Sequence, residues 1–181
     1  KIIEAIEKIA NTDKDRRTKA AAISYLAKTS NVKYKALYDK NINDSSYSVA
    51  GAALEGLIAL NPDKAYELAK KYSNDAKGDL GDVVNEEIIK NGTEADFDFV
   101  ANRFDKMPLS QEKVQAIPVF AGYLEKISDI VKVKKGIDVV VKFRNAIPEQ
   151  FRGFVDPMIK AALSKLGKSK GLEVYINDGF K

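Results

Sequence analysis

The 181-residue chain has no cysteine, no histidine and no tryptophan. Without thiols there are no disulfides and no thiolate chemistry, and without imidazole a typical zinc site cannot be built from this chain alone. Ser-His-Asp and Cys-His nucleophiles are excluded for the same reason. The missing cysteine does not identify a compartment. Long apolar runs are also missing: no stretch approaches the roughly 18 uninterrupted apolar residues of a membrane span. The opening KIIEAIEKIA lacks a signal-peptide cleavage pattern. A chain that starts at Lys1 without methionine reads as a processed product or a piece of something longer.

What is present describes a soluble, folded, helical chain. Hydrophobic residues make up 45% and charged residues 31%. The formal net charge of +4 is uneven: residues 126–172 hold 11 Lys/Arg against 4 Asp/Glu, whereas residues 1–125 hold 18 against 20. Such a basic excess wets helix faces, or meets an acidic partner or an adjoining domain.

Apolar residues recur at helical spacing almost throughout. Ile2, Ile3, Ile6 and Ile9 fall on one stripe, and RRTKAAAISYLAKT places Ala22, Tyr25, Leu26 and Thr29 near one face. Val32, Ala36 and Leu37 form the next stripe, then SYSVAGAALEGLIAL runs into Asn61-Pro62, which reads as a cap and first turn for a helix carrying Tyr66, Leu68, Ala69 and Tyr72. A further pair holds Val84, Ile88 and Ile89, then Phe97, Val100 and Phe104, with Asn91-Gly92 as a helix end rather than a hairpin turn. Ser110 should cap a helix kinked by Pro118, and Ser128 should cap a valine-rich one carrying Ile130, Val133, Ile137, Val140 and Val141. Asp156-Pro157 then reads as another cap-plus-proline start, Gly167 as a stop, and residues 168–181 as a polar linker and tail with at most one short ordered segment.

These segments repeat. Ala20, Ala21, Ala22, Ile23 and Leu26 align with Gly51, Ala52, Ala53, Leu54 and Leu57 at an offset of 31, and a further step reaches Asp82, Val83, Val84 and Ile88. A period of about 30 to 45 residues with two helices per unit predicts an all-α, HEAT-like α-solenoid of stacked antiparallel helix pairs, a single domain over 1–181. Glycine inside a helix costs about 1 kcal/mol relative to alanine, so Gly51 and its small neighbours imply a close helix approach. An irregular helical bundle is the alternative.

Several motifs do not survive inspection. LGKSKG contains the GKS of a phosphate loop, but Ala162 stands where the required glycine should be, and the segment ends a helix instead of opening one. Asp13 and Asp15 have calcium-loop spacing without the loop's glycine or its twelfth-position glutamate. Glu86-Glu87 and Asp96/Asp98 read as solvated faces. Asn43-Asp44-Ser45 and Asn91-Gly92-Thr93 match the glycosylation triplet, which is common by chance. Tyr34, Tyr38, Phe143 and Phe151 lie near basic residues but at core spacing.

RRTKAAAISYLAKT followed by SVAGAALEGLIALNPDKAYELAKKY resembles the HEAT-like C-terminal helical domain of M1-family zinc aminopeptidases, particularly bacterial ones, in which A-x-x-AL-x-x-L…NP-x-x-A punctuates paired helices. The resemblance covers most of residues 13–167. It implies a non-catalytic domain of a larger metallopeptidase that packs on the peptidase domain and helps enclose the peptide cavity. The family's HExxH zinc motif and GxMEN-type segment are absent, so no catalytic or metal residue carries over, and zinc belongs to the implied parent enzyme. The implied partners are its catalytic domain and peptide substrate. Lys132, Lys135, Arg144 and Arg152 are the candidate contacts, arginine being favoured because its planar fork holds a carboxylate at two points. A free-standing HEAT-type interaction scaffold is the second reading. A nucleic-acid-binding HEAT-like domain is the third, weakened by modest charge and the lack of tryptophan.

Overall fold

The computed structural model describes residues 1–74 and 76–181. Among them it is all-helical, with eleven α-helices, three short 3-10 turns and no strand. The chain divides into two compact units, Lys1–Ile88 and Ile89–Lys181.

The first unit contains α1 (Ile2–Thr12), α2 (Arg16–Ala27), α3 (Lys35–Asn41), α4 (Tyr47–Leu60), α5 (Ala65–Lys71) and most of α6 (Gly78–Asn91). Its centre is α4, where Val49 through Leu54, Gly56 and Leu57 are all buried. A helix hydrophobic on every side needs neighbours on every side, and small residues let them come close. A methyl group on Gly51 would sit 2.8 Å from backbone atoms of Asp79 and Leu80 at the start of α6, and one on Gly56 would fall 2.5 Å from the ring of Tyr38 on α3. Against α2, Ser24 Oγ donates to Glu55 at 2.7 Å, across a separation of 31 residues. That separation equals the offset at which the two segments align in sequence.

Local chemistry sets the boundaries and corrects some of the expected faces. Asp15 caps α2 by accepting from the Thr18 amide at 2.7 Å. Asn61 points backwards: its Nδ2 donates to the Leu57 carbonyl at 3.2 Å, closing α4, while Pro62 opens a 3-10 turn with no side-chain cap. The buried stripe of α3 and its leading turn is Tyr34, Leu37 and Tyr38, with Val32 and Ala36 exposed. Tyr25 is also exposed, and α2 buries Ala20, Ala22, Ile23, Leu26 and Ala27 instead.

The second unit contains α7 (Phe97–Lys106), α8 (Gln111–Glu125), α9 (Ile130–Ala146), α10 (Glu149–Lys170) and α11 (Glu173–Asp178). The valine-rich segment is helical, and Val133, Ile137 and Val140 of α9 are fully buried. Phe104 stacks on Phe120 at 4.6 Å between ring centres and meets Phe143 edge-on at 6.5 Å, tying α7, α8 and α9 together. Ser110 caps α8 through the Lys113 amide at 3.4 Å. Asp129, one residue beyond Ser128, caps α9 by accepting from the amides of Val131 and Lys132.

The C-terminal segments differ most from expectation. Helix α10 starts at Glu149, so Asp156-Pro157 lies inside it and does not begin it. The helix also runs through Gly167 and ends at Gly171, whose φ of 65° is the left-handed conformation that glycine adopts without a Cβ penalty. Gly167 serves packing: a methyl there would lie 3.0 Å from Ile176 Cδ1. Residues 168–181 accordingly form no tail. They complete α10 and fold back as α11, with Leu172, Ile176 and Phe180 buried.

Candidate interaction surface

The four basic residues singled out in the sequence fall at two places, both in the second unit. Lys132 and Lys135 extend from α9 toward α7 and its leading turn. Lys135 Nζ lies 3.0 Å from Asp98, and further along Lys142 Nζ lies 2.9 Å from Asp105. Both pairs span 37 residues, so α7 and α9 run parallel in a fixed register. Lys132 donates to the Glu94 carbonyl at 3.4 Å. The Glu94 carboxylate accepts from the amides of Ser128 and Asp129 at 2.7 and 3.2 Å, which hold it ionised to lower pH than an ordinary glutamate.

Arg144 and Arg152 lie at the corner between α9 and α10. Arg144 is buried and grips Asp156 with both arms of its fork, at 2.8 and 2.6 Å, while stacking 5.4 Å from the Phe180 ring. This pairing raises the guanidinium pKa and lowers that of the carboxyl. Arg152 donates to the carbonyls of Ile147 and Asn145 at 3.0 and 2.9 Å, closing the C-terminal end of α9. All four cations thus have partners within their own unit.

The surface that stands out is apolar. A groove of about 560 Å³ is bounded by Leu109, Ser110, Gln111 and Val114 at the start of α8, by Phe143, Ile147 and Pro148 at the end of α9, and by Phe151, Phe154, Val155 and Met158 on α10. None of these residues is charged. Leu109, Phe151 and Met158 are each more than half exposed, and Phe154 is 80% exposed. A cluster of large apolar side chains in water needs a reason. Beside it lies Lys113, buried, whose ammonium donates to the carbonyls of Asp105 and Met107 at 2.9 and 3.0 Å and sits 5.2 and 5.1 Å from the ring centres of Phe104 and Phe143. Burial lowers its pKa. Through those carbonyls it fixes the end of α7 and with it the loop that carries Leu109.

Sequence reasoning missed this groove, and placed Phe151 in the core. The usable signal was continuity. Once the helix is carried back from Ile159, Leu163 and Leu166 to Glu149, Phe151, Phe154 and Met158 fall to one side of that buried stripe and are exposed.

Among the described residues no three His, Cys, Asp or Glu side chains gather where they could hold a metal ion, and the donor set does not fit zinc. No helix among them is long and apolar enough to cross a membrane. Comparison with family models, curated proteins and solved structures finds no match.

Proposed function

We propose that this chain is a non-catalytic helical interaction domain that receives an apolar segment of a partner protein in the groove between α8, α9 and α10. The observation that carries this reading is the gathering of Leu109, Phe151, Phe154 and Met158, all exposed, around one uncharged depression. Burying a side chain of this size contributes about 1.5–3 kcal/mol. Ordering costs on both partners offset much of that sum. An amphipathic helix presenting apolar anchors at i, i+3 and i+7 is the partner geometry such a groove accepts.

The HEAT-like α-solenoid belongs to the same proposal. Its support is the 31-residue sequence offset repeated in the Ser24–Glu55 contact, and the small residues of α4 that admit close neighbours. In the version that the aminopeptidase resemblance implies, the partner is a zinc peptidase domain whose peptide cavity this domain helps enclose. A nucleic-acid role gains little from the basic last third, because Lys135, Lys142 and Arg144 are each engaged by a carboxylate.

The test is selection of a displayed library of amphipathic helices on the wild-type protein, followed by re-screening against Phe154→Asp. Binders weakened at least tenfold by that substitution support the docking reading. A library that yields no binder, or only binders indifferent to position 154, overturns it.

A further inference from the structure

Helix α10 carries a second pattern on the face that forms one wall of the groove. Phe151, Phe154, Met158, Ala161, Lys165 and Lys168 follow one another in alternating steps of three and four, the spacing of a coiled-coil seam. All six are exposed, while Ile159, Leu163 and Leu166 on the other side are fully buried. The seam therefore faces outward for five turns, and it changes character midway from aromatic and methionine to alanine and then lysine. Lys165 pairs with Glu125 at 2.6 Å, and its side chain remains 82% exposed. Lys168 has no carboxylate partner among the described residues.

We propose that this seam binds a helix from a different protein, one that is apolar where it lies along Phe151, Phe154 and Met158 and acidic where it passes Lys165 and Lys168. The inference rests on the docking reading above and names the partner's chemistry. Charge complementarity decides among occupants. A second copy of α10 running parallel would set each lysine beside its own counterpart, and one running antiparallel would set the lysines against phenylalanines. Lys165 already has Glu125, but neither arrangement brings Lys168 a carboxylate, so charge disfavours self-pairing. A bilayer would need the apolar residues along the whole exposed face, and here they occupy only one end and line a concave groove that a flat surface cannot fill. A helix with carboxylates at its far end answers both halves of the seam.

The experiment uses the same displayed helices, with the seam positions at one end drawn equally from Asp, Glu, Lys, Arg and Gln, and with that end placed at either terminus. Selection on the wild-type protein is expected to enrich Asp and Glu several-fold over Lys and Arg, and selection on Lys165→Glu/Lys168→Glu to reverse the preference. Phe154→Asp and Met158→Asp should each abolish enrichment while leaving the far-ultraviolet circular dichroism unchanged, since both side chains are solvent-facing. Binders that depend on Phe154 yet show no charge preference overturn this inference and leave the docking reading standing. Binders indifferent to Phe154 remove both. Two further measurements can each overturn it: a dimer in sedimentation velocity that Phe154→Asp dissolves assigns the seam to a second copy, and cosedimentation with phosphatidylserine vesicles that the same variant loses assigns it to lipid.

Discussion

A single methyl group should act with opposite sign at two helical glycines. In Gly51→Ala the new Cβ meets the carbonyl carbon of Asp79 and the amide nitrogen of Leu80 at 2.8 Å. Both are backbone atoms, so relief requires moving the first turn of α6 rather than turning a flexible side chain. Overpacking costs about 1–3 kcal/mol, and a rigid backbone neighbour places this site near the top of that range. The helix propensity gained from alanine returns about 1 kcal/mol. A net loss of about 2 kcal/mol is expected. In Gly122→Ala, inside α8, nothing lies within 4 Å of the added methyl, so only the propensity gain of about 1 kcal/mol remains. Urea unfolding followed by far-ultraviolet circular dichroism reads both. With a slope of about 2 kcal/mol per molar urea, Gly51→Ala should lower a midpoint by about 1 M and Gly122→Ala should raise one by about half as much. A Gly51→Ala midpoint equal to or above wild type would refute the claim that α4 and α6 are held in contact through that glycine.

Three other outcomes follow from the geometry. Arg144→Met strips the mostly buried Asp156 carboxylate of its fork and should cost about 2–3 kcal/mol in urea unfolding, a loss that Asp156→Asn in the same background largely recovers. The Glu94 carboxyl has a folded-state pKa below its unfolded value, so its contribution is present above the unfolded pKa and is lost as pH falls through the folded one; Glu94→Gln should flatten the acid limb of a stability–pH profile and change nothing near neutrality except a constant offset. The Tyr38 hydroxyl is buried without a hydrogen-bond partner among the described residues, so Tyr38→Phe should leave the urea midpoint unchanged or raise it by up to about 1 kcal/mol equivalent, and a clear drop would reveal a partner for that oxygen.

Much of the fold was legible because a helix buried on one side writes its period into the chain. Val133, Ile137 and Val140 identify α9 as a helix although valine favours strands, since their spacing outweighs their propensity. The glycine and alanine residues of α4 announced a close neighbour, and Gly51 has one. Errors arose where one residue type serves several local purposes. Asn61 before a proline reads as a forward cap, yet its amide reaches back to Leu57. Pro157 and Gly167 are ordinary boundary markers, but both lie within α10. The candidate site was the least legible part. Charge drew attention to Arg144 and Arg152, whose forks turn out to be held by Asp156 and by backbone carbonyls. Periodicity identifies which residues share a helix face, but not whether a neighbour covers it, and Phe151, Phe154 and Met158 remain more than half exposed.

The parallel register of α7 and α9 bears on how this chain can change length over evolutionary time. Lys135 with Asp98 and Lys142 with Asp105 share one separation, and α8 with its two connections makes up the chain between the paired helices. Residues added to or lost from those connections would change the separation at both pairs equally, so the rungs could re-form unchanged. A one-residue deletion between Lys135 and Lys142 has no such escape, because it turns the second lysine about 100° around its helix while leaving the first in place. Tolerance of insertions should therefore be concentrated in the connections flanking α8, and lineages of this chain should vary in length there while holding the seven-residue intervals inside α7 and α9 fixed.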